Sequence, residues 1–165
     1  MAGLPTRSAE LRGLRILVVE DEFLVAMELE SMLQDLGGEV IGPLGRLDQA
    51  VTVARDEALD LALLDVNVGG RLVTPVADAL AARTIPFVFC TGYDVASLPG
   101  RHAAAPTLMK PCHAHELKNA VLTSLRGRTA PARASRPPSG TGARASTSPT
   151  TGAGRARRAG RRPRD

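Results

Sequence analysis

Hydrophobic and polar positions along the first 127 residues alternate between two kinds of pattern. Ile16-Leu17-Val18-Val19 is a continuous apolar run, the signature of a strand covered on both faces, and it ends in Glu20-Asp21-Glu22. Leu24, Met27, Leu29, Met32, Leu33 and Leu36 then recur at helical spacing, and Gly37-Gly38 stops the helix. Glu39-Val40-Ile41-Gly42 predicts a second, short strand, and Asp48 to Glu57 a helix with Ala50, Val51 and Ala54 on one face. A third apolar run, Leu61 to Leu64, ends at Asp65 and is followed by the loop Val66-Asn67-Val68-Gly69-Gly70. Residues 75–83 read as a helix with Pro75 in its first turn. Ile85 to Cys90 is a fourth strand ending at Thr91-Gly92, and Thr107-Leu108-Met109 a fifth ending at Lys110-Pro111. Residues 113–125 form a last amphipathic helix.

Strands that alternate with helices predict an α/β fold with a parallel sheet. The fourth crossover is interrupted by Pro99, Gly100 and Pro106, so the segment between Thr91 and Thr107 is expected to be short, irregular or mobile. Residues 1–12 read as a flexible lead-in, residues 13–127 as the folded domain, and residues 128–165 as a tail without hydrophobic periodicity. The tail is rich in Arg, Ala, Gly, Pro, Ser and Thr, and such a composition buries too little apolar surface to offset ordering entropy; disorder is the expectation.

Charge divides the 165 residues in the same place. The whole chain carries +4, which alone points to an acidic partner. Residues 1–127 hold 11 Lys+Arg and 16 Asp+Glu, a net of −5, whereas residues 128–165 hold 10 Arg and one acid, a net of +9. The basic character therefore belongs to the tail, and nucleic-acid binding is a reading for the tail alone. No aromatic accompanies that charge, so a solvated low-complexity segment is the plainer reading. The absence of a long apolar run and of a signal-peptide pattern gives the cytoplasm as the expected compartment. Two cysteines, Cys90 and Cys112, make no disulfide framework and read as buried thiols.

Glu20, Asp21, Asp65, Thr91 and Lys110 each stand at, or one residue past, the C-terminal end of a predicted strand. In an open α/β sheet those ends converge on one crevice. Three carboxylates gathered there repel one another unless a cation joins them, and Mg²⁺ suits an all-oxygen set. Asp65 closes the central strand and is the best-placed nucleophile, able to attack phosphorus and form an aspartyl-phosphate. Lys110 and the Thr91 hydroxyl are placed to meet phosphoryl oxygens. Glu22 reads as a first-turn helix residue, Gly69-Gly70 as a turn, and Cys112, His113, His115 and Glu116 as a helix start, not a zinc set.

These motifs, in this order and spacing, resemble the receiver domain of two-component response regulators. ILVVEDE looks like the first strand with its acidic pair, LALLDVN like the phospho-acceptor strand, CTG like the hydroxyl position and LMKP like the lysine strand. The resemblance spans about residues 13–127. It implies a (βα)5 flavodoxin-like fold, five parallel strands in the order 2-1-3-4-5, with the fourth helix short or irregular. It further implies that Asp65 accepts phosphate from a histidine kinase, and that Glu20 and Asp21 bind Mg²⁺ with Asp65 and the backbone carbonyl of Asn67. Thr91 and Lys110 become the switch hydroxyl and phosphoryl-binding ammonium, and the Lys110–Pro111 bond is expected to be cis.

PFVFCTGYD is similar to a receiver subgroup named for a Phe-Ala-Thr-Gly-Tyr motif, with Cys90 in place of the Ala. Most receivers carry an aromatic switch three residues before the lysine; that position is Thr107, and Tyr93 is the substitute this resemblance offers. Members of the subgroup are usually stand-alone receivers paired with HWE/HisKA2 kinases. The implied function is a phosphorylation-controlled binding module or phosphate sink within a phosphorelay, not an enzyme. An aspartate-nucleophile phosphatase is the weaker alternative, because it needs an acid two residues after the nucleophile and Asn67 stands there.

Overall fold

The computed structural model describes residues 10–92 and 98–127. Tyr93 and the Arg-rich segment 128–165 lie outside the described residues. The elements are β1 (Arg15–Val19), α1 (Phe23–Asp35), β2 (Glu39–Leu44), α2 (Leu47–Asp56), β3 (Leu61–Asp65), β4 (Asn67–Val68), β5 (Arg71–Leu72), α3 (Thr74–Ala82), β6 (Phe87–Thr91), β7 (Thr107–Met109) and α4 (Ala114–Arg126).

β2, β1, β3, β6 and β7 form one sheet in that order, and every neighbouring pair is parallel. This is the expected 2-1-3-4-5 order; β4 and β5 are a separate antiparallel ribbon inserted between the third and fourth strands of the sheet. The ribbon was not foreseen from the sequence. Gly69 and Gly70 both have positive φ (59° and 78°), which a two-residue hairpin turn of the mirror-image type requires.

β1, β3 and β6 are buried on both faces, and strand alternation divides their side chains between two cores. Leu17, Val19, Ala62, Leu64, Phe87 and Phe89 meet α2 and α3 through Ala50, Ala54, Val76, Ala77 and Leu80. Ile16, Val18, Leu61, Leu63, Val88 and Cys90 meet α1 and α4 through Leu29, Leu33, Leu117 and Val121. A sheet sandwiched in this way presents its strand ends as the free rim, which is where its chemistry collects.

Differences from the sequence reading are local. α1 buries Ala26, Leu29 and Leu33, with Leu36 just past its end, while Leu24 and Met27 of the predicted stripe face solvent beside Phe23. At 100° per residue, positions 24 and 27 lie on the opposite side of the helix from 29 and 33. The helix stops where Gly37 takes φ +89° and the Gly38 N–H closes back on the Leu33 carbonyl at 2.9 Å. The expected lead-in is anchored at its end: Leu11 is fully buried, its N–H donates to the Leu36 carbonyl, and Glu10 pairs with Lys118 at 3.0 Å. The fourth strand begins at Phe87, two residues later than predicted, because Pro86 has no N–H for the ladder. In the crossover from β6 to β7 the described residues form a 3-10 turn, Gly100–His102, after Pro99. The Lys110–Pro111 bond is cis, as the resemblance implies. No helix among the described residues is long and apolar enough to cross a membrane.

Candidate functional site

The strand ends bring the predicted residues to one rim. β1 ends at Val19, paired with Leu44 on one side and Leu64 on the other. Glu20 therefore emerges between β2 and β3, and its N–H still donates to the Leu44 carbonyl at 2.9 Å. Asp65 is the last residue of β3 and stands opposite Cys90. Thr91 closes β6 beside Met109, and its carbonyl accepts the Lys110 N–H at 2.8 Å. Asp21, Glu22, Asp65, Val66, Asn67, Thr91, Gly92 and Lys110 line a cavity of about 290 Å³, and Glu20 is buried against Lys110.

Oxygens of Glu20, Asp21 and Asp65 lie within 4.8 Å of one another. Lys110 Nζ stands 2.5 Å from Glu20 Oε2, 3.3 Å from Asp65 Oδ2 and 3.8 Å from Glu22 Oε1. Glu20 Oε1 accepts the Glu22 N–H at 3.0 Å. Its Oε2 is buried and accepts no hydrogen bond of ordinary geometry, and among the described residues it is the charge of Lys110 that relieves it. Burial pushes the Glu20 carboxyl above its usual range against the pull of Lys110. Burial does the same to Asp65, opposed by Lys110 and reinforced by the charge of Asp21. Burial works to lower Lys110, but the Glu20 contact and the Asp65 charge outweigh it, and the ammonium is held above its usual range.

The arrangement fits a small divalent cation. Three carboxylates converge, one buried oxygen lacks a hydrogen bond, and all the donors are hard oxygens. The Asp65 carboxylate is flanked by an ammonium that can neutralise an incoming anion, a pairing suited to acyl-phosphate formation.

Two contacts escaped the sequence reading. Gly69, in the turn of the β4–β5 ribbon, donates its N–H to Asp21 Oδ2 at 2.9 Å, although the two residues are 48 positions apart in sequence. No side-chain pattern signals a main-chain donor; the Gly-Gly turn was its only trace. Glu22 sits at the N-cap of α1 and lines the cavity, with its carboxylate turned toward Lys110, where the sequence assigned it only to the helix dipole. Asn67 opens β4 and is exposed at the cavity wall.

The remaining candidates are placed elsewhere. Cys90 and Cys112 are buried in the α1–α4 core, and burial pushes both thiols up, away from the reactive thiolate. The Glu116 carboxylate accepts the His113 N–H at 3.0 Å and so caps α4.

No protein-family profile matches the chain. Among solved structures, SdrG from Sphingomonas melonis Fr1 is 43% identical, with a TM-score of 0.62 over 68% of this chain and 96% of that one. The signal receiver domain of a modulated diguanylate cyclase from Desulfovibrio desulfuricans G20 is 29% identical, with a TM-score of 0.63 over 69% of this chain and 94% of that domain. The transcriptional regulatory protein PdtaR of Mycobacterium tuberculosis is 32% identical over 111 residues, 65% of this chain. The chain spans about half of PdtaR, 54% of its length. With this sheet order, this acidic rim and these relatives, the chain belongs to the receiver-domain family of two-component response regulators.

Proposed function

We propose that Asp65 accepts a phosphoryl group from the phosphohistidine of a histidine kinase, and that the charge it gains controls binding to another protein or stores phosphate within a relay. One observation carries this reading: the Asp65 carboxylate lies within 4.8 Å of the Glu20 and Asp21 oxygens and 3.3 Å from Lys110. An Asp65 oxygen attacks phosphorus in line, forming the P–O bond as the P–N bond to the imidazole breaks and the imidazole takes a proton from solvent. Lys110 faces the phosphoryl oxygens, and Thr91, at the end of β6, offers its hydroxyl to another.

Glu20, Asp21 and Asp65, with the carbonyl of Asn67, are the residues that would hold Mg²⁺, which when bound supplies charge neutralisation for phosphoryl oxygens. The role of this module is binding and relay, not turnover of a substrate. Asn67 stands where an aspartate-nucleophile phosphatase needs an acid, which supports that choice. The Phe-Cys-Thr-Gly-Tyr run, Phe89 to Tyr93, supports membership of the Phe-Ala-Thr-Gly-Tyr subgroup, a kinase partner of HWE/HisKA2 type, and Tyr93 as the switch aromatic.

Intact-mass measurement after incubation with Mg²⁺ and acetyl phosphate tests the reading. The wild-type protein gains the mass of one phosphoryl group and Asp65→Asn gains none. An unlabelled wild type, or an Asp65→Asn variant that labels equally, overturns it.

A further inference from the structure

Away from the acidic rim, one carboxylate gathers three contacts. Asp78, on α3, accepts a fork from Arg101: Nε to Oδ1 at 2.9 Å and the terminal nitrogen to Oδ2 at 2.8 Å. Its Oδ1 also lies 2.7 Å from His102 Nε2. Arg101 and His102 both belong to the 3-10 turn of the β6–β7 crossover. His102 is a buried polar residue, 6% exposed, and its ring meets Phe87 edge-on at 5.5 Å.

The rest of the turn is held by local bonds. His102 donates to the Pro99 carbonyl, Ala103 to Gly100 and Ala105 to His102. Bonds of this kind move with the turn and do not fix it to the body. Asp78, the Phe87 contact, and the packing of Leu98 and Ala105 on the α2–α3 core do that work. Phe87 in turn meets Phe89 edge-on at 5.3 Å. Phe87, Phe89 and Thr91 alternate along β6, so they share one face of the strand, and Thr91 is its end at the cavity. A row of side chains on one face of β6 thus runs from the rim toward the Asp78 cluster.

We propose that Asp78, Arg101 and His102 form a latch that holds residues 98–105 against α3 while Asp65 is unmodified, and that phosphorylation of Asp65 works against this latch. The inference rests on Asp65 being the phosphoryl acceptor. A contact made in one of two states biases the equilibrium by its differential strength alone, so a latch particular to the unmodified state opposes phosphorylation, and removing it favours the modified state. Asp78 is a positioning residue in this scheme; it touches no reacting atom.

Beryllofluoride, a phosphoryl mimic, with Mg²⁺ provides the test, read by NMR on the full chain. In the wild type the Gly69 and Lys110 amides report binding at Asp65, and the His102 ring nitrogens report the latch. The expected result is a His102 ring shift on binding and an apparent beryllofluoride affinity that rises about fivefold or more in Asp78→Asn. Arg101→Met removes only the fork and is expected to raise affinity in the same direction by less; it carries the test if Asp78→Asn does not fold. Normal binding with an unmoved His102 ring and variants equal to wild type overturns the latch and leaves the Asp65 reading intact. Absence of any wild-type response at Gly69 and Lys110 overturns both.

Discussion

Lys110 stands closer to Glu20 than to Asp65, 2.5 Å against 3.3 Å. The ammonium therefore serves first as counter-charge to a buried acid and only second as neighbour of Asp65. Removing it strands Glu20, whose Oε2 has no hydrogen bond to fall back on. Lys110→Met is expected to lose about 3 kcal/mol at neutral pH, the cost of breaking a buried pair by deleting one partner. Lowering the pH toward 5 recovers much of that loss by protonating Glu20, and Glu20→Gln in the same chain recovers most of it. Urea denaturation at the two pH values checks both statements.

Asp65 and Glu20 give the protein an unusual pH response. Both carboxyls are raised in the folded state, chiefly by burial. A raised folded pKa contributes stability that is fully present below the unfolded carboxyl value and is lost as pH rises through the folded value. In the absence of divalent cation the protein is therefore expected to be more stable near pH 5 than near pH 7.5. Asp65→Asn removes part of that slope and raises the neutral-pH melting temperature by about 3 °C. A scan of melting temperature against pH, with chelator present, shows whether the slope exists and whether the variant flattens it.

Adding Mg²⁺ works on the same term from the other side. A ligand that binds only the folded state stabilises by about 2.7 kcal/mol at a hundredfold excess over its dissociation constant. Wild-type protein is expected to gain melting temperature as Mg²⁺ is titrated. Asp21→Asn, at an exposed position, keeps its cation-free stability and loses most of the gain. Thermal melts with Mg²⁺ and with chelator separate the two effects.

The β4–β5 turn is open to a backbone test. A methyl group at Gly69 meets nothing within 4 Å, so Gly69→Ala acts through φ +59° alone. The cost is about 1 kcal/mol of stability. Because the same residue donates to Asp21, Mg²⁺ affinity is expected to fall about tenfold, as when a metal ligand loses its outer hydrogen bond. Isothermal titration with Mg²⁺ measures it, and an unchanged affinity removes Gly69 from the site.

Much of the fold was legible because parallel strands buried on both faces have to be continuously apolar. Ile16–Val19, Leu61–Leu64 and Phe87–Cys90 satisfy that rule. The rim residues were legible because each polar side chain interrupts such a run at its end. Leu24 and Met27 misled because an apolar residue at helical spacing does not say which face is covered. The Gly69–Asp21 bond and the turn of Glu22 toward Lys110 were not legible, since one partner is main chain and the other pairing depends on where two distant strands end. Asp78, Arg101 and His102 lie 23 and 24 residues apart on a helix and an irregular turn, and neither element carries a periodicity that would pair them.

The grip of Gly69 on Asp21 has a stereochemical consequence. Any residue but proline offers the same N–H, so the donor does not select glycine at this position; handedness does. A D-alanine introduced there by semisynthesis favours positive φ and keeps the donor, so it is expected to preserve both the turn and the affinity for Mg²⁺ that L-alanine loses. The handedness of one main-chain turn, and not the identity of a side chain at position 69, places the donor that holds Asp21.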